Sequence, residues 1–296
     1  MLLSAIDIGS NAVRLFFSHV FEQDGQIVAE KASLMRVPIR LGEDVFTKHY
    51  ISEEKILKLI KTMQAFKLLI EVAQPVAWRA CATSAMREAK NKDEVINRVT
   101  KESGIQIEII DGVEEAKIVS AIQNLDMVKN FNHSLFIDVG GGSTELSLIS
   151  AEGIIESASF KIGTVRMLSG KVKGSEWEKM QVWLQKIDKN HKGILCVGSG
   201  GNINKLAKLY GRVPEKTLPF TNLEYGINEL RKYTLTQRIE IMGLRPDRAD
   251  VIIPAAEIFH FIMKTMKARL LLVPKIGLSD GMVSMMYRQI KHTQKN

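Results

Sequence analysis

Apolar and polar residues follow the same plan twice along this chain. Near the N-terminus an apolar run, LLSAI, meets the polar DIGSN, and the alternating VRLFFSHVF comes next. A turn at Gln23-Asp24-Gly25-Gln26 then leads into IVAEKAS. Alternation broken by Gly- and Asp-rich turns reads as strand, tight turn, strand, hairpin, strand. Residues 134–162 repeat the order: SLFI, DVGGGS, TELSLIS, a turn at Ala151-Glu152-Gly153, and IIESASFKI. Asp138 takes the place of Asp7 and Gly153 that of Gly25, with the second copy three residues shorter in its hairpin. Such a duplication predicts two domains, each opened by three β-strands.

Helical periodicity fills most of the remainder. It predicts helices over 51–74, with Ser52 as N-cap, over 91–104, ending at Gly104, and over 113–127, with Asp111 and Glu114 as a capping pair. A further helix opens at Ser175-x-x-Glu178, and its Trp177 and Trp183 read as core residues. Between the helices lie strand-like AWRACAT (77–83), IQIEII (105–110), ILCVG (194–198) and ARLLLVP (268–274). Strands alternating with helices place the chain in the α/β class. The break between the copies falls in NLDMVKNFNHS, which gives domains of 1–127 and 128–296. The last helix, about 280–296, is expected to pack back on the first domain.

Composition narrows the function. A length of 296 residues suits two domains of roughly 150 residues each. Apolar content of 45% and charged content of 25% are those of an ordinary globular protein. No apolar run approaches the ~20 residues of a membrane span, and MLLSAID lacks the basic start of a signal peptide. Cys81 and Cys196 stand in apolar surroundings without ligand spacing, so they read as reduced, buried thiols of a cytoplasmic protein. The net charge of +8 favours an anionic partner. No basic run is interleaved with aromatics and no zinc-finger pattern is present, so nucleic acid is not the expected one. None of the six histidines makes HxH or HExxH spacing, and His260 reads as a helix residue.

The two turns carry the candidate chemistry. Gly9, Ser10 and Asn11 offer backbone N–H groups and a hydroxyl to an oxyanion, and Asp7 offers a carboxylate to Mg²⁺. In the second copy Gly140, Gly141 and Gly142 precede Ser143 and Thr144. Three glycines in succession sacrifice conformational entropy that a plain turn would not need to lose, but they let a backbone come close to phosphate. Asp138 and Glu145 add carboxylates. GxGxxG fails in both glycine-rich loops, because Glu145 and Ile203 stand where its last glycine belongs, and no GxxxxGK[ST] occurs. A third loop, Gly198-Ser199-Gly200-Gly201, opens a helix and is either an anion site or tight packing. Thr83, Ser84 and Arg87 follow a strand and would bind phosphate together. Glu114 and Glu115 open a helix whose N-terminus favours the ionised carboxylate. Glu114 is expected to cap and Glu115 to serve as base.

In this order, AIDIGSN (5–11), ATSAMREA (82–89), IIDGVEEA (109–116) and DVGGGSTEL (138–146) resemble the motifs of the exopolyphosphatase / guanosine pentaphosphate phosphohydrolase family, within the actin–Hsp70–sugar-kinase superfamily. KIGTVRM (161–167), VGSGGN (197–202), RADVIIPAAEIF (248–259) and IGLSDGMV (276–283) resemble later segments of that family. The resemblance implies two RNase H-like domains flanking a cleft and Mg²⁺-dependent hydrolysis of terminal phosphoanhydride bonds in polyphosphate or pppGpp. By position, Glu115 would activate water, with Glu114 the second choice. Asp7, Asp138 and Glu145 would hold Mg²⁺. Arg87, Ser10, Asn11 and the Gly140–Ser143 backbone would bind phosphate. Family members are often dimers, so a homodimer is an expectation too. The chain departs from the family at Ala12, where Ser is common, at Asn202, where Thr is usual, and at Ser279-Asp280, where Arg-Glu is usual. Two alternatives stay open: an ATP-dependent small-metabolite kinase of the same superfamily, and a non-catalytic sensor that binds (p)ppGpp or polyphosphate.

Overall fold

A computed structural model describes residues 1–23, 26–120, 131–212, 215–274 and 276–293. The chain forms two compact units, Met1–Asn124 together with Leu278–Asn296, and Leu125–Gly277. The expected division after residue 127 lies outside the described residues, as do the turn residues Asp24 and Gly25 and positions 121–127 of the expected helix.

In chain order the first unit contains β1 (Leu2–Ile8), β2 (Val13–Gln23), β3 (Gln26–Val37), α1 (Leu41–Lys48), α2 (Glu53–Ala73), β4 (Ala77–Ala82), α3 (Ser84–Glu88), α4 (Lys92–Ser103), β5 (Glu108–Ile109) and α5 (Gly112–Ser120). The second has β6 (His133–Val139), β7 (Thr144–Ser150), β8 (Gly153–Phe160), α6 (Thr164–Leu168), α7 (Gly174–Asn190), β9 (Ile194–Ser199), α8 (Gly201–Tyr210), β10 (Thr217–Pro219), α9 (Phe220–Lys232), α10 (Leu235–Glu240), α11 (Pro246–Ala249), α12 (Ile252–Thr265) and β11 (Leu270–Leu272). The closing helix α13 (Leu278–Thr293) belongs to the first unit.

The two sheets share one plan. The first runs β3-β2-β1-β4-β5, with β2 antiparallel to both neighbours and β1, β4 and β5 parallel. The second runs β8-β7-β6-β9-β11 in the same sense and adds β10 at the edge. The duplication predicts two such units, each opened by three strands, and the family resemblance implies this RNase H-like α/β arrangement. β1 and β6 are buried along nearly their whole length, which is why they read as apolar runs rather than as alternating strands. In the first unit α13 packs on β1, β2 and α5, where Met282, Val283 and Tyr287 close a core with Leu3, Phe16, Val20 and Ile118.

Several local expectations change in the structure. Ser52 sits at the start of α2 but its side chain makes no capping bond; instead its N–H donates to Asp44 Oδ2 at 3.0 Å. The capping pair expected at Ser175 and Glu178 does not form, because the N-cap of α7 is Lys173, two residues earlier. There Glu176 accepts the N–H of Lys161 at 3.0 Å and so ties the helix start to the end of β8. Asp111 does cap α5, accepting the N–H of Glu114 at 2.8 Å. Only Glu108–Ile109 of IQIEII pairs as a strand, and only Leu270–Leu272 of ARLLLVP. Trp177 and Trp183 pack against the core of the second unit. His260 stacks on Phe220, its Nε2 3.0 Å from Glu224 Oε1. Among the described residues no helix is long and apolar enough to cross a membrane.

Candidate functional site

Register brings the candidate residues of the first unit into a row. Ile8 is level with Ala82, and Ala82 with Ile109, so three parallel strands end together. Beyond those ends lie the turn 9–12, the Thr83–Arg87 segment and the start of α5. The N–H of Thr83 donates to Ile8 O at 3.2 Å and that of Ile110 to Ala82 O at 3.1 Å, which knits the three segments together. Ligands of open α/β sheets collect at such carboxyl ends.

The first turn is closed by a bond from Gly9 N–H to Ala12 O, 3.1 Å. Its outer carbonyls are taken from behind: Ser10 O accepts the N–H of Gly42 at 2.8 Å, and Asn11 O that of Arg40 at 2.9 Å. Arg40 reaches this position in the left-handed region, at φ 58°. Ser10 is 3% exposed, and its hydroxyl has no hydrogen-bond partner among the described residues. Burying a hydroxyl in that way costs about 1–3 kcal/mol, a cost that a bound oxyanion would remove.

Arg87 ties the row to the acid. Its Nη1 donates to Ile110 O at 2.6 Å and lies 3.9 Å from Glu115 Oε2. Glu115, in the first turn of α5, is 8% exposed, and its N–H donates to Asp111 O at 2.9 Å. Glu114 is half-buried and takes the cap on its N–H. Arg87 and the N-terminus of α5 both bring positive charge toward the Glu115 carboxylate. Ser84 donates its hydroxyl to Glu88 Oε1 at 3.3 Å, and Thr83 is buried at the head of α3.

The second unit builds a comparable row. Asp138 is level with Ser199 on parallel β9 and opposite Glu145 on antiparallel β7. Gly140 N–H donates to Ser143 O at 2.9 Å and closes the glycine turn. Ser199 is 1% exposed, and its hydroxyl, like that of Ser10, has no partner among the described residues. Gly200 holds φ 107°, and a Cβ there would stand 3.4 Å from Asp138 Oδ1. Gly198 has a different reason to be glycine, since a Cβ would touch Phe259, Leu271 and Ile203. That is tight packing, so the two readings of this loop divide between its residues. Thr144 commits its buried hydroxyl to Ile162 O at 2.6 Å.

Carboxylates differ between the copies. Asp7 Oδ2 accepts Arg14 Nη1 at 2.6 Å. At the equivalent position of the second copy stands Glu145, directly across the ladder from Asp138. Glu145 Oε1 accepts the Ser159 hydroxyl at 2.9 Å. Two carboxylates placed opposite each other repel, and a hard cation relieves that repulsion. The oxygen chemistry of Asp138 and Glu145 therefore fits Mg²⁺, whereas Asp7 is engaged by a guanidinium. Among the described residues no three His, Cys, Asp or Glu side chains converge on one metal position.

Arg14, Ser159, Arg40, Gly42 and Arg166 act on these turns without having been singled out from the sequence. Aligning the two copies residue by residue would have found Arg14, since it matches Glu145. The others approach from later in the chain, and no spacing rule connects them to the turns.

A model of the Ppx/GppA phosphatase family matches residues 23–289. The bifunctional 3-dehydroquinate synthase/phosphatase of Fusobacterium nucleatum is 28% identical over 88% of this chain, which spans only 43% of that protein. Exopolyphosphatase 1 of Mycobacterium leprae is 24% identical over 96% of this chain and 88% of its own length. Among solved structures, the Ppx/GppA family member of Aquifex aeolicus is 25% identical with a TM-score of 0.74, covering 98% of each chain. An exopolyphosphatase of Cytophaga hutchinsonii shares the fold, with a TM-score of 0.82 at 23% identity over 97% of each chain.

Proposed function

The chain belongs to the Ppx/GppA phosphatase family, and on that premise we propose that it hydrolyses terminal phosphoanhydride bonds of polyphosphate, of pppGpp or of both. Relatives bear the names exopolyphosphatase 1 and guanosine-5'-triphosphate,3'-diphosphate pyrophosphatase, and their substrates are the ones assigned here. The observation that carries the reading is the buried Glu115 beside Arg87, at the end of a strand row that also bears the unsatisfied Ser10 hydroxyl.

In this reading the turn amides and Arg87 bind the terminal phosphate. Glu115 takes a proton from water, whose oxygen attacks the terminal phosphorus. The bond from that phosphorus to the bridging oxygen breaks, orthophosphate leaves, and the shortened chain keeps the bridging oxygen. Phosphoryl transfer of this kind asks for positioning and charge neutralisation more than for covalent chemistry. Asp138 and Glu145 would hold Mg²⁺, which when bound would neutralise phosphate charge. A net charge of +8 accords with a polyanionic substrate. Two buried free thiols accord with a reducing, cytoplasmic setting.

Orthophosphate release from short polyphosphate, long polyphosphate and pppGpp, measured side by side with and without Mg²⁺, tests the proposal. Mg²⁺-dependent release from at least one of them is expected. A chain inert toward all three refutes the assignment.

A further inference from the structure

Among the described residues the Gly140–Gly142 turn is gripped through its carbonyls, on one side. Gly140 O accepts the N–H of Thr164 at 3.0 Å. Gly141 O accepts those of Val165 at 2.8 Å and Arg166 at 3.1 Å. Gly142 O accepts Nε of Arg166 at 2.7 Å. Arg166 is 6% exposed, so this bond is made away from water. Gly163 lets the backbones meet, because a Cβ there would overlap the main chain of Gly141 and Gly142.

In a trans peptide the C=O and N–H point in opposite directions. Three consecutive carbonyls facing α6 therefore turn the N–H groups of Gly141, Gly142 and Ser143 to the opposite side. Among the described residues none of these three N–H groups donates a hydrogen bond. The first copy uses the same device, where Gly42 and Arg40 hold the carbonyls of Ser10 and Asn11. Each turn is thus backed by the segment that follows the third strand of its own unit.

We propose that Arg166 is a positioning residue: its Nε–H, with the first amides of α6, locks the peptide orientation that presents the Gly141, Gly142 and Ser143 N–H groups to a phosphate oxyanion. This rests on the reading of that turn as a phosphate site. Arg166 acts through its contact with the carbonyl of Gly142. Glycine peptides flip readily, so without the grip the turn would sample orientations that aim oxygen at the anion.

The test is an ¹⁵N amide titration with tripolyphosphate of the full chain and of Arg166→Lys and Arg166→Gln, with steady-state kinetics on the same compound. In wild type the Gly141, Gly142 and Ser143 resonances are expected to respond and saturate. In both variants saturation should move to at least about tenfold higher tripolyphosphate. KM should rise correspondingly, with kcat within about threefold because Glu115 is untouched. Lysine keeps the charge but not the Nε donor, so it should not rescue. If the Lys variant titrates as wild type does, the inference is overturned. If the wild-type amides do not respond at all, the phosphate-binding reading itself fails, which is a separate result. Should both Arg166 variants fail to fold, Gly163→Ala lifts α6 off the turn without removing a buried charge. The same loss of response then supports the inference, and an unchanged titration overturns it.

Discussion

Asp7 and Asp138 occupy equivalent places in the two copies, yet they face neighbours of opposite charge. Arg14 neutralises the first, and Glu145 stands beside the second. The pattern DxG after an apolar strand was legible, and so was Asp111 as the cap of α5, whereas Glu114, expected to cap, gives its own N–H to that cap. What decides the charge at each aspartate was not legible, because it depends on ladder register across a hairpin. The cysteines were read correctly as buried free thiols, and burial pushes each up to about 12. Two consequences follow at this scale. Neither thiol should react with an alkylating reagent at pH 8 until the chain is unfolded, as mass spectrometry would report. Because the unfolded thiol ionises first, stability should also fall as pH rises above about 8.5, and Cys196→Ala should flatten that decline in thermal melts. Rapid native labelling would show that the thiols are not shielded as described.

Elements buried on both faces were the easiest to find. β1, β6 and β9 are apolar runs that end at Gly or Asp, and α2 and α4 carry clear periodicity. Short elements whose existence depends on a partner were missed or overdrawn. α1 and α6 are such cases, and β5 is reduced to the two residues that meet β4. α6 matters most, since five residues with no periodicity of their own hold the glycine turn through its carbonyls. A related close contact lies in α13, where a Cβ on Gly281 would overlap the main-chain carbonyl of Ile118 in α5. α5 also carries Glu115, so this crossing fixes the acid's helix. Gly281→Ala should cost about 1–3 kcal/mol in chemical denaturation and lower turnover as well. A variant as stable and as active as wild type would mean that the helices do not meet this closely.

At the scale of the whole molecule the chain returns to its first unit at the end. The duplication made two α/β units legible, and the last helix was expected to pack back on the first. The structure adds which side chains make it necessary. Leu278, Met282, Val283, Met286 and Tyr287 cover a core built from β1, β2 and α5. Burial of five such side chains contributes on the order of 10 kcal/mol, as much as the net stability of a typical domain. A chain ending at residue 277 should therefore lose amide hydrogen-exchange protection throughout 2–120 while 133–272 keeps it. Protection retained in the first unit would show that its core closes without α13. The account as a whole turns on Glu115 as the group that activates water. The most direct measurement is kcat and KM for orthophosphate release by wild type and Glu115→Gln, with Mg²⁺, on whichever of polyphosphate and pppGpp the wild type cleaves. The account predicts a fall in kcat of at least about 100-fold with KM nearly unchanged; turnover by the Gln variant at the wild-type rate would contradict it.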